Sequence, residues 1–442
     1  MPALCGFWVG RSGKCFSVGP WTERRGGAQA PLRPLRGFGR RFVTPSPLAP
    51  MLLYLLECIG AVSPAKLAAL EKITFRASAC AAVSFLLALA FGPRLISWLA
   101  SRFREPIKGD SERLNELHRS KQATPTMGGL FLVAGLVGGL LLFADLRNRF
   151  VQVALVVTIG LALLGMIDDL SKIFGLGNGL RARTKLAGQL LVAGLAVMLL
   201  WHHHARIPGG LNLQIPLLTE VSFSLGLWFM PVAALVIVGA SNAVNLTDGL
   251  DGLAAGCLIL ATAAMAALAY VSGHAELAAY LHVLKIPGSG EMTVVAGGMI
   301  GGLLGFLWFN CHPAQVFMGD TGSLPLGGLL GLFAVVTRQE LLLLLIGGVF
   351  VAEAASVILQ VCYYKWRHRR VLRCAPLHHH FQFLGWPETR VVTRLWIVAG
   401  LCAILGVAVL KFQVRQTQAT LCEHPPFATA SAAASTLVPD RR

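Results

Sequence analysis

Long apolar segments alternate with short polar loops along most of this 442-residue chain. A helix needs about 20 apolar residues to cross the hydrocarbon core of a bilayer. Several segments of about that length are rich in glycine, which lets membrane helices pack closely. We therefore predict an all-α, polytopic integral membrane protein with about ten transmembrane helices, near residues 76–98, 126–144, 151–167, 185–201, 223–241, 250–271, 293–309, 321–337, 341–364 and 392–411.

The composition argues against a series of soluble domains. Only 13% of the residues are charged and 55% are apolar, whereas an average soluble domain is about 25% charged. A net charge of +17 can indicate nucleic-acid binding, but in so apolar a chain it fits the basic loops of a membrane protein better. We expect a lipid bilayer as partner and no nucleic acid.

The distribution of Lys and Arg among the loops predicts the orientation. The loops that follow the odd-numbered spans carry sixteen of these residues, and the opposite loops carry five. Because Lys and Arg accumulate on the cytoplasmic side of a membrane, we place the first set of loops in the cytoplasm. Both termini then lie on the outer side.

Three regions differ in composition. Residues 1–50 form a basic extension rich in Arg, Gly and Pro, which we interpret as disordered or as a misassigned start, since Met51 opens an apolar segment. Residues 51–412 form the membrane domain with its ten predicted helices. Residues 413–442 end in an Ala/Ser/Thr-rich stretch, for which we predict a disordered tail.

Four polar motifs fall on the predicted cytoplasmic side. They are Asp168-Asp169, the segment NAVNLTDGLDG at 242–252, MGDTGS around Asp320, and the triplet at 378–380. Each alone is compatible with a turn or a solvated helix end, but together they predict one site. Oxygen ligands without cysteine favour magnesium or manganese, and carboxylates with basic loops suit phosphoryl transfer.

Two other polar features have competing interpretations. The triplet at 202–204 lies on the opposite side from the carboxylates, so we expect a surface feature there. Glu353 lies near the middle of the ninth predicted span. A carboxylate at that depth is either functional or a protonated or hydrogen-bonded packing residue.

An ordered series of motifs from Met51 to about Phe412 carries a family resemblance. It comprises TPTMGG from Thr124, the Asp168-Asp169 pair, AVNLTDGLDGLA, WFN, VFMGDTGS, PLHHHF and GWPE. The chain resembles the phospho-N-acetylmuramoyl-pentapeptide transferases, within the superfamily of polyprenyl-phosphate sugar-1-phosphate transferases. The resemblance implies transfer of phospho-N-acetylmuramoyl-pentapeptide from its UDP form to undecaprenyl phosphate, which gives lipid I and UMP. It also implies Mg²⁺, a homodimer, and a bacterial cytoplasmic (inner) membrane enzyme whose site faces the cytoplasm.

The same resemblance implies roles for individual residues. The implied catalytic residues are Asp168, Asp169, Asp320 and His379, with Asp320 also the magnesium ligand. The implied substrate-binding residues are Lys121, Thr126, Lys185, Asn245, Asp248, Asp251, Asn310, Phe317, His378 and His380. Gln382 departs from the family, which usually has an acid there. A glutamine keeps the acceptor oxygen and loses the charge.

Several alternatives stay open at this point. The lipid phosphate can attack the UDP-sugar directly, which we prefer, or an aspartate can attack first and form a covalent intermediate. A related enzyme would transfer N-acetylglucosamine-1-phosphate instead. A secondary transporter would also contain carboxylates among glycine-broken helices, but near the bilayer midplane and within internal repeats. Here the acids gather at one predicted face, which disfavours transport.

Overall fold

In the computed structural model, the described part of the chain comprises residues 70–102, 124–174, 179–216 and 218–423, without the side chains of 218–221 and 411–423. This part is almost entirely helical. Its helices are α1 (Ile73–Arg102), α2 (Gly129–Phe143), α3 (Arg149–Ile173), α4 (Ala182–His204), α5 (Phe229–Thr247), α6 (Leu253–Gly273), α7 (Ala275–Tyr280), α8 (Met292–Asn310), α9 (Asp320–Thr337), α10 (Glu340–Ile346), α11 (Gly348–Arg367), α12 (Leu377–Phe383) and α13 (Glu388–Glu423).

A small antiparallel hairpin connects α4 to α5. It consists of β1 (Asn212–Ile215) and β2 (Leu218–Ser224). Short 3₁₀ turns at Gly226–Trp228 and Ser289–Glu291 lead into α5 and α8. The hairpin is the only sheet in the described ranges, so the prediction of an all-α class is confirmed.

Within the same ranges, eight helices are long and apolar enough to cross a membrane. The pair α10 and α11 would make a ninth span, and the 15-residue α2 is apolar but shorter. These elements coincide with the ten predicted segments. The prediction of one continuous helix over 341–364 is wrong, because the chain bends by 89° between α10 and α11. Two consecutive glycines, Gly347 and Gly348, stand at this break, where helix propensity is low.

Close backbone contacts hold the bundle together. A Cβ atom on Gly297 of α8 would overlap the backbone of Ala77 on α1, and one on Gly301 would overlap the backbone of Ala81. Small residues at such positions allow the van der Waals packing that drives helix association in lipid. Every residue of α9 is buried, so α9 is the central helix of the bundle. Its first residue, Asp320, therefore lies in the middle of one end of the bundle.

Some predictions fall partly or wholly outside the described residues. They include Lys121 and the whole of the 1–50 extension. Helix α13 continues to Glu423 and therefore includes the first residues of the predicted tail. The assignment of one bundle end to the cytoplasm stays a prediction.

Candidate active site

Three buried carboxylates meet where α9 begins. Asp168 and Asp169 lie near the end of α3, and Asp320 is the first residue of α9. One carboxylate oxygen from each lies within 4.8 Å of the others. Gly165 allows this approach, since a Cβ there would overlap the carbonyl group of Asp320 and lie 2.7 Å from the Thr321 nitrogen. The two helices therefore bring two of the predicted motifs together through a backbone contact.

The two adjacent aspartates do different things. Asp169 accepts hydrogen bonds from the backbone N–H groups of Asp320 (3.1 Å) and Thr321 (2.9 Å), and from the Thr321 hydroxyl (2.7 Å). A carboxylate that accepts the first N–H groups of a helix stabilises its N-terminus. Asp169 thus fixes the position of α9, and with it the position of Asp320.

Asp168 faces two ammonium groups instead. Its carboxylate accepts the Leu180 N–H at 2.7 Å and lies 3.0 Å from the Lys172 Nζ and 3.4 Å from the Lys185 Nζ. The same two nitrogens lie 3.1 Å and 2.5 Å from Asp320 Oδ2. The position between Asp168 and Asp320 therefore accommodates positive charge. Its hard oxygen donors fit Mg²⁺, which is usually bound through one or two carboxylates.

Lys172 was not among the predicted site residues. Its spacing in the sequence could have identified it. Lys172 stands three positions after Asp169 and four positions after Asp168, and residues at these spacings are neighbours on the surface of a helix. The structure shows both ion pairs, at 3.6 Å and 3.0 Å. A lysine three or four residues after a site carboxylate on the same helix is therefore a candidate site residue.

The end of α5 adds an amide and a further acid. The Asn245 Nδ2 donates to Asp320 Oδ1 at 2.5 Å and to the Ser323 hydroxyl at 2.8 Å. Asp248 follows the last residue of α5. Desolvation, together with the carboxylates of Asp320, Asp169 and Asp251, raises the pKa of Asp248 to about 7. Asp248 is therefore within the electrostatic influence of the three-carboxylate cluster.

Asp251 and Asn310 have mainly positioning contacts. Asp251 Oδ2 accepts from the Ala314 N–H at 3.2 Å and lies 2.9 Å from the His312 Nδ1. Its backbone N–H donates to Glu388 at 2.8 Å. Glu388 belongs to the GWPE motif, to which sequence reasoning assigned no role. These bonds connect the turn after α5 to the segment after α8 and to the start of α13.

Asn310 links two of the recognised motifs directly. Its Oδ1 accepts the Gly252 N–H at 2.9 Å, and its Nδ2 donates to the Val316 carbonyl oxygen at 2.8 Å. Gly252 has φ +76°, a conformation that favours glycine. Asn310 is buried, and its amide therefore fixes the turn of 248–252 relative to the segment that leads to Asp320.

Thr126 lies near Asp169, and Phe317 stands three residues before Asp320. The Phe317 N–H donates to the Pro125 carbonyl at 2.9 Å, and its own carbonyl accepts from Gly128 at 2.8 Å. Thr126 is buried, and a Cβ on Gly319 would lie 3.0 Å from its hydroxyl oxygen. The TPTMGG and VFMGDTGS motifs are therefore paired through their backbones.

The histidine triplet divides among three environments. His378 is fully buried and contacts Glu353, while a Cβ on Gly249 would lie 3.0 Å from its ring carbon Cε1. His379 Nδ1 lies 2.8 Å from the Gln382 Oε1, so an amide oxygen is present where an acid was expected. The ring nitrogen Nδ1 of His380 accepts the Arg373 N–H at 3.2 Å. His378 thus meets the 242–252 motif, whereas His380 is directed to its own loop.

The other triplet lies at the opposite end of the bundle. His204 packs against the last turn of α9, with its Nε2 3.3 Å from the Val336 carbonyl oxygen. Asp320 and Val336 are sixteen residues apart on α9, about 24 Å along the helix axis. His202 is exposed and pairs with Arg206. These three histidines therefore cannot share a site with Asp320, as the sequence predicts. The prediction of a surface feature holds for His202 but is wrong for His204, which has 0% exposure because it packs against α9.

Comparison with known proteins gives consistent matches. Residues 151–338 match the family described as glycosyl transferase family 4. The chain is 45% identical over 366 residues to a phospho-N-acetylmuramoyl-pentapeptide-transferase of Solidesulfovibrio magneticus, which covers 82% of this chain and 100% of the relative. Relatives of the same name from Thermodesulfovibrio yellowstonii (44%) and Maridesulfovibrio salexigens (45%) each cover 77% of this chain and 94% of their own length.

Proposed function

The chain belongs to the family of phospho-N-acetylmuramoyl-pentapeptide transferases, and from this premise we propose the reaction that it catalyses. It transfers phospho-N-acetylmuramoyl-pentapeptide from the UDP-activated form to undecaprenyl phosphate. The products are lipid I and UMP. The observation that carries the proposal is the cluster of Asp168, Asp169 and Asp320 with two lysine ammonium groups at one end of an apolar helix bundle.

The proposed cofactor is Mg²⁺, with Asp320 as its ligand and Asp168 close enough to take part. Bound there, the ion would neutralise charge on the phosphates of both substrates. The remaining roles belong to the protein itself. Lys172 and Lys185 attract phosphate oxygens, and Asn245 holds the Asp320 carboxylate in place. Asp169 keeps the start of α9 against α3.

The proposed chemical step is a direct displacement. An oxygen of undecaprenyl phosphate forms a bond to the β-phosphorus of the UDP-sugar, and the bond from that phosphorus to the bridging oxygen of UMP breaks. The lipid phosphate is already an anionic nucleophile, so its activation requires only removal of a remaining proton, a role that we assign to Asp168. Phosphoryl transfer depends mainly on positioning and charge neutralisation, which this cluster provides.

Other residues of this bundle end are proposed to bind substrate. Phe317 is assigned to stacking near the uracil, since aromatic rings stack favourably on planar rings. The turn with Asp248 and Asp251 is assigned to the nucleoside and diphosphate, as are Lys121 and Thr126. The triplet at 378–380 and Asn310 complete the proposed pocket, with His379 as the catalytic histidine.

The location follows from the substrates. A UDP-sugar is soluble and undecaprenyl phosphate is a lipid, so the site must lie where cytoplasm and bilayer meet. We propose the bacterial cytoplasmic membrane, with the Asp320 end of the bundle facing the cytoplasm. The loop charges support this orientation. We also propose that two copies of the chain form a homodimer.

A substrate panel with the purified full chain tests the proposal. We expect magnesium-dependent release of UMP from UDP-N-acetylmuramoyl-pentapeptide in the presence of undecaprenyl phosphate, and a matched protein beginning at Met51 should retain this activity. Turnover of UDP-N-acetylglucosamine alone would favour the related transferase. Trapping a phosphosugar on an aspartate after a rapid quench would replace direct displacement by a covalent route.

A further inference from the structure

A carboxylate within the apolar part of the bundle has a single hydrogen-bond partner among the described residues. Glu353 lies on α11, five residues after its start, and both Glu353 and His378 have 0% exposure. Removing a carboxylate from water costs several kcal/mol unless hydrogen bonds compensate it. Such a residue in a membrane span is expensive and calls for a specific reason.

All the hydrogen bonds of this carboxylate within the described residues go to His378. The backbone N–H of His378 donates to the two oxygens at 3.2 Å and 3.3 Å. The ring nitrogen Nδ1 lies 3.1 Å from Oε2. Ser356, one turn further on α11, bonds only to the Glu353 backbone carbonyl. Among the described residues, the Glu353 carboxylate therefore forms hydrogen bonds only with His378.

The contact determines which side of the imidazole faces the proposed site. With Nδ1 directed to the carboxylate, Nε2 points away from α11 and is buried without a hydrogen-bond partner among the described residues. It abuts Gly249, where a Cβ atom would overlap Nε2 and lie 3.0 Å from Cε1. Gly249 directly follows Asp248, so the ring is packed against the turn that carries this acid.

Glu353 follows shortly after the 89° bend between α10 and α11. Its carboxylate lies on α11 and meets α12, the short helix that carries His378.

We propose that Glu353 is a positioning residue of the transferase reaction: it orients His378, and the oriented ring holds the turn at 248–252 in the conformation that the reaction needs. The inference rests on the proposed function. Glu353 touches no reacting atom in this proposal and acts only through His378. Groups that orient a metal-ligating histidine contribute about 10- to 100-fold to affinity or activity, and we expect an effect of similar size for the orientation of His378.

A double-mutant cycle tests whether Glu353 acts through His378. In the full-length enzyme, Glu353→Gln should lower kcat/KM for UMP release about 10- to 100-fold. In a His378→Ala background the same change should cost less than about twofold, because the group it orients is gone. Ser356→Ala is the matched control on the same helix and should stay within twofold of the unmodified enzyme. An equal loss in both backgrounds would overturn the proposal, as would full activity of Glu353→Gln.

A second cycle approaches the same contact from the other side. Gly249→Ala should reduce activity because its methyl group displaces the His378 ring. In a His378→Ala background the same change should cause little further loss, because the ring it displaces is absent. If Glu353→Gln fails to fold, Glu353→Asp replaces it: this variant keeps the charge but is one methylene shorter, and its loss should also vanish with His378→Ala. A loss that persists contradicts the proposal. If the unmodified enzyme releases no UMP at all, the proposed function fails rather than this inference.

Discussion

The contact between α3 and α9 leads to the sharpest prediction about the site. Gly165 is packed so closely against Asp320 and Thr321 that an added methyl group would lie 2.7 Å from the Thr321 nitrogen and nearer still to the Asp320 carbonyl. Ordinary van der Waals contact begins at 3.4 Å, so Gly165→Ala must move the start of α9 by at least about 0.7 Å. The shift would separate Asp320 from the carboxylates on α3.

The expected cost of Gly165→Ala follows from this displacement. A misplacement of about 1 Å can reduce a reaction rate about 10²-fold, and overpacking costs about 1–3 kcal/mol of stability. We therefore expect kcat/KM to fall roughly 100-fold while the protein still folds. Magnesium-dependent UMP release measures the activity, and thermal unfolding in detergent measures the stability.

Gly194→Ala is the matched control for this experiment. Gly194 lies within α4, and a Cβ atom there would meet nothing within 4 Å. Alanine also has the higher helix propensity, so activity should be unchanged. Wild-type activity of Gly165→Ala would refute the reasoning that the α3–α9 contact sets the carboxylate geometry. An equal loss in both variants would refute it as well.

The remaining predictions concern single side chains. Asp320→Asn should reduce UMP release at least about 100-fold, whereas His202→Ala, at the other bundle end, should change it less than twofold; equal damage would contradict the separation of the two ends. Because the pKa of Asp248 is raised to about 7, its carboxyl group is protonated below that pH, and cation binding nearby should release the proton. Magnesium affinity, measured by calorimetry, should therefore rise with pH up to about 7 and then level off, and Asp248→Asn should flatten this dependence. Gln382→Glu keeps the oxygen facing His379 and should retain activity within threefold in the UMP assay, while Gln382→Leu removes the acceptor and should lose about tenfold; equal activity of these two variants would remove any role for that contact.

Much of the site could be foreseen from motifs and spacing. Asp168, Asp169 and Asp320 were expected at one place, and the structure brings them together. Such expectations succeed because polar residues are rare in an apolar chain, and those that remain must find partners or water. Asn245 was assigned to substrate binding, and its contact with Asp320 on another helix was not predicted.

The different contacts of the two adjacent aspartates could not be predicted from the sequence. Asp168 and Asp169 are identical and adjacent in sequence, yet one meets lysines and the other caps α9. Successive side chains on a helix point about 100° apart. The contacts of each aspartate therefore depend on what packs against its own side of α3. Glu353 likewise stayed ambiguous, because its partner His378 is 25 residues away and separated from it by a loop.

The sequence by itself determined the helical membrane architecture and the positions of its ten apolar segments, because hydrophobicity over some 20 residues is a local property. The tertiary structure alone decided where the ninth segment bends, which helix occupies the centre, and which acids share an environment. These features depend on contacts between residues far apart in the chain. A glycine such as Gly165 shows the reason: its neighbours in sequence are ordinary helix residues, and only the backbone of α9 against it explains why no side chain fits.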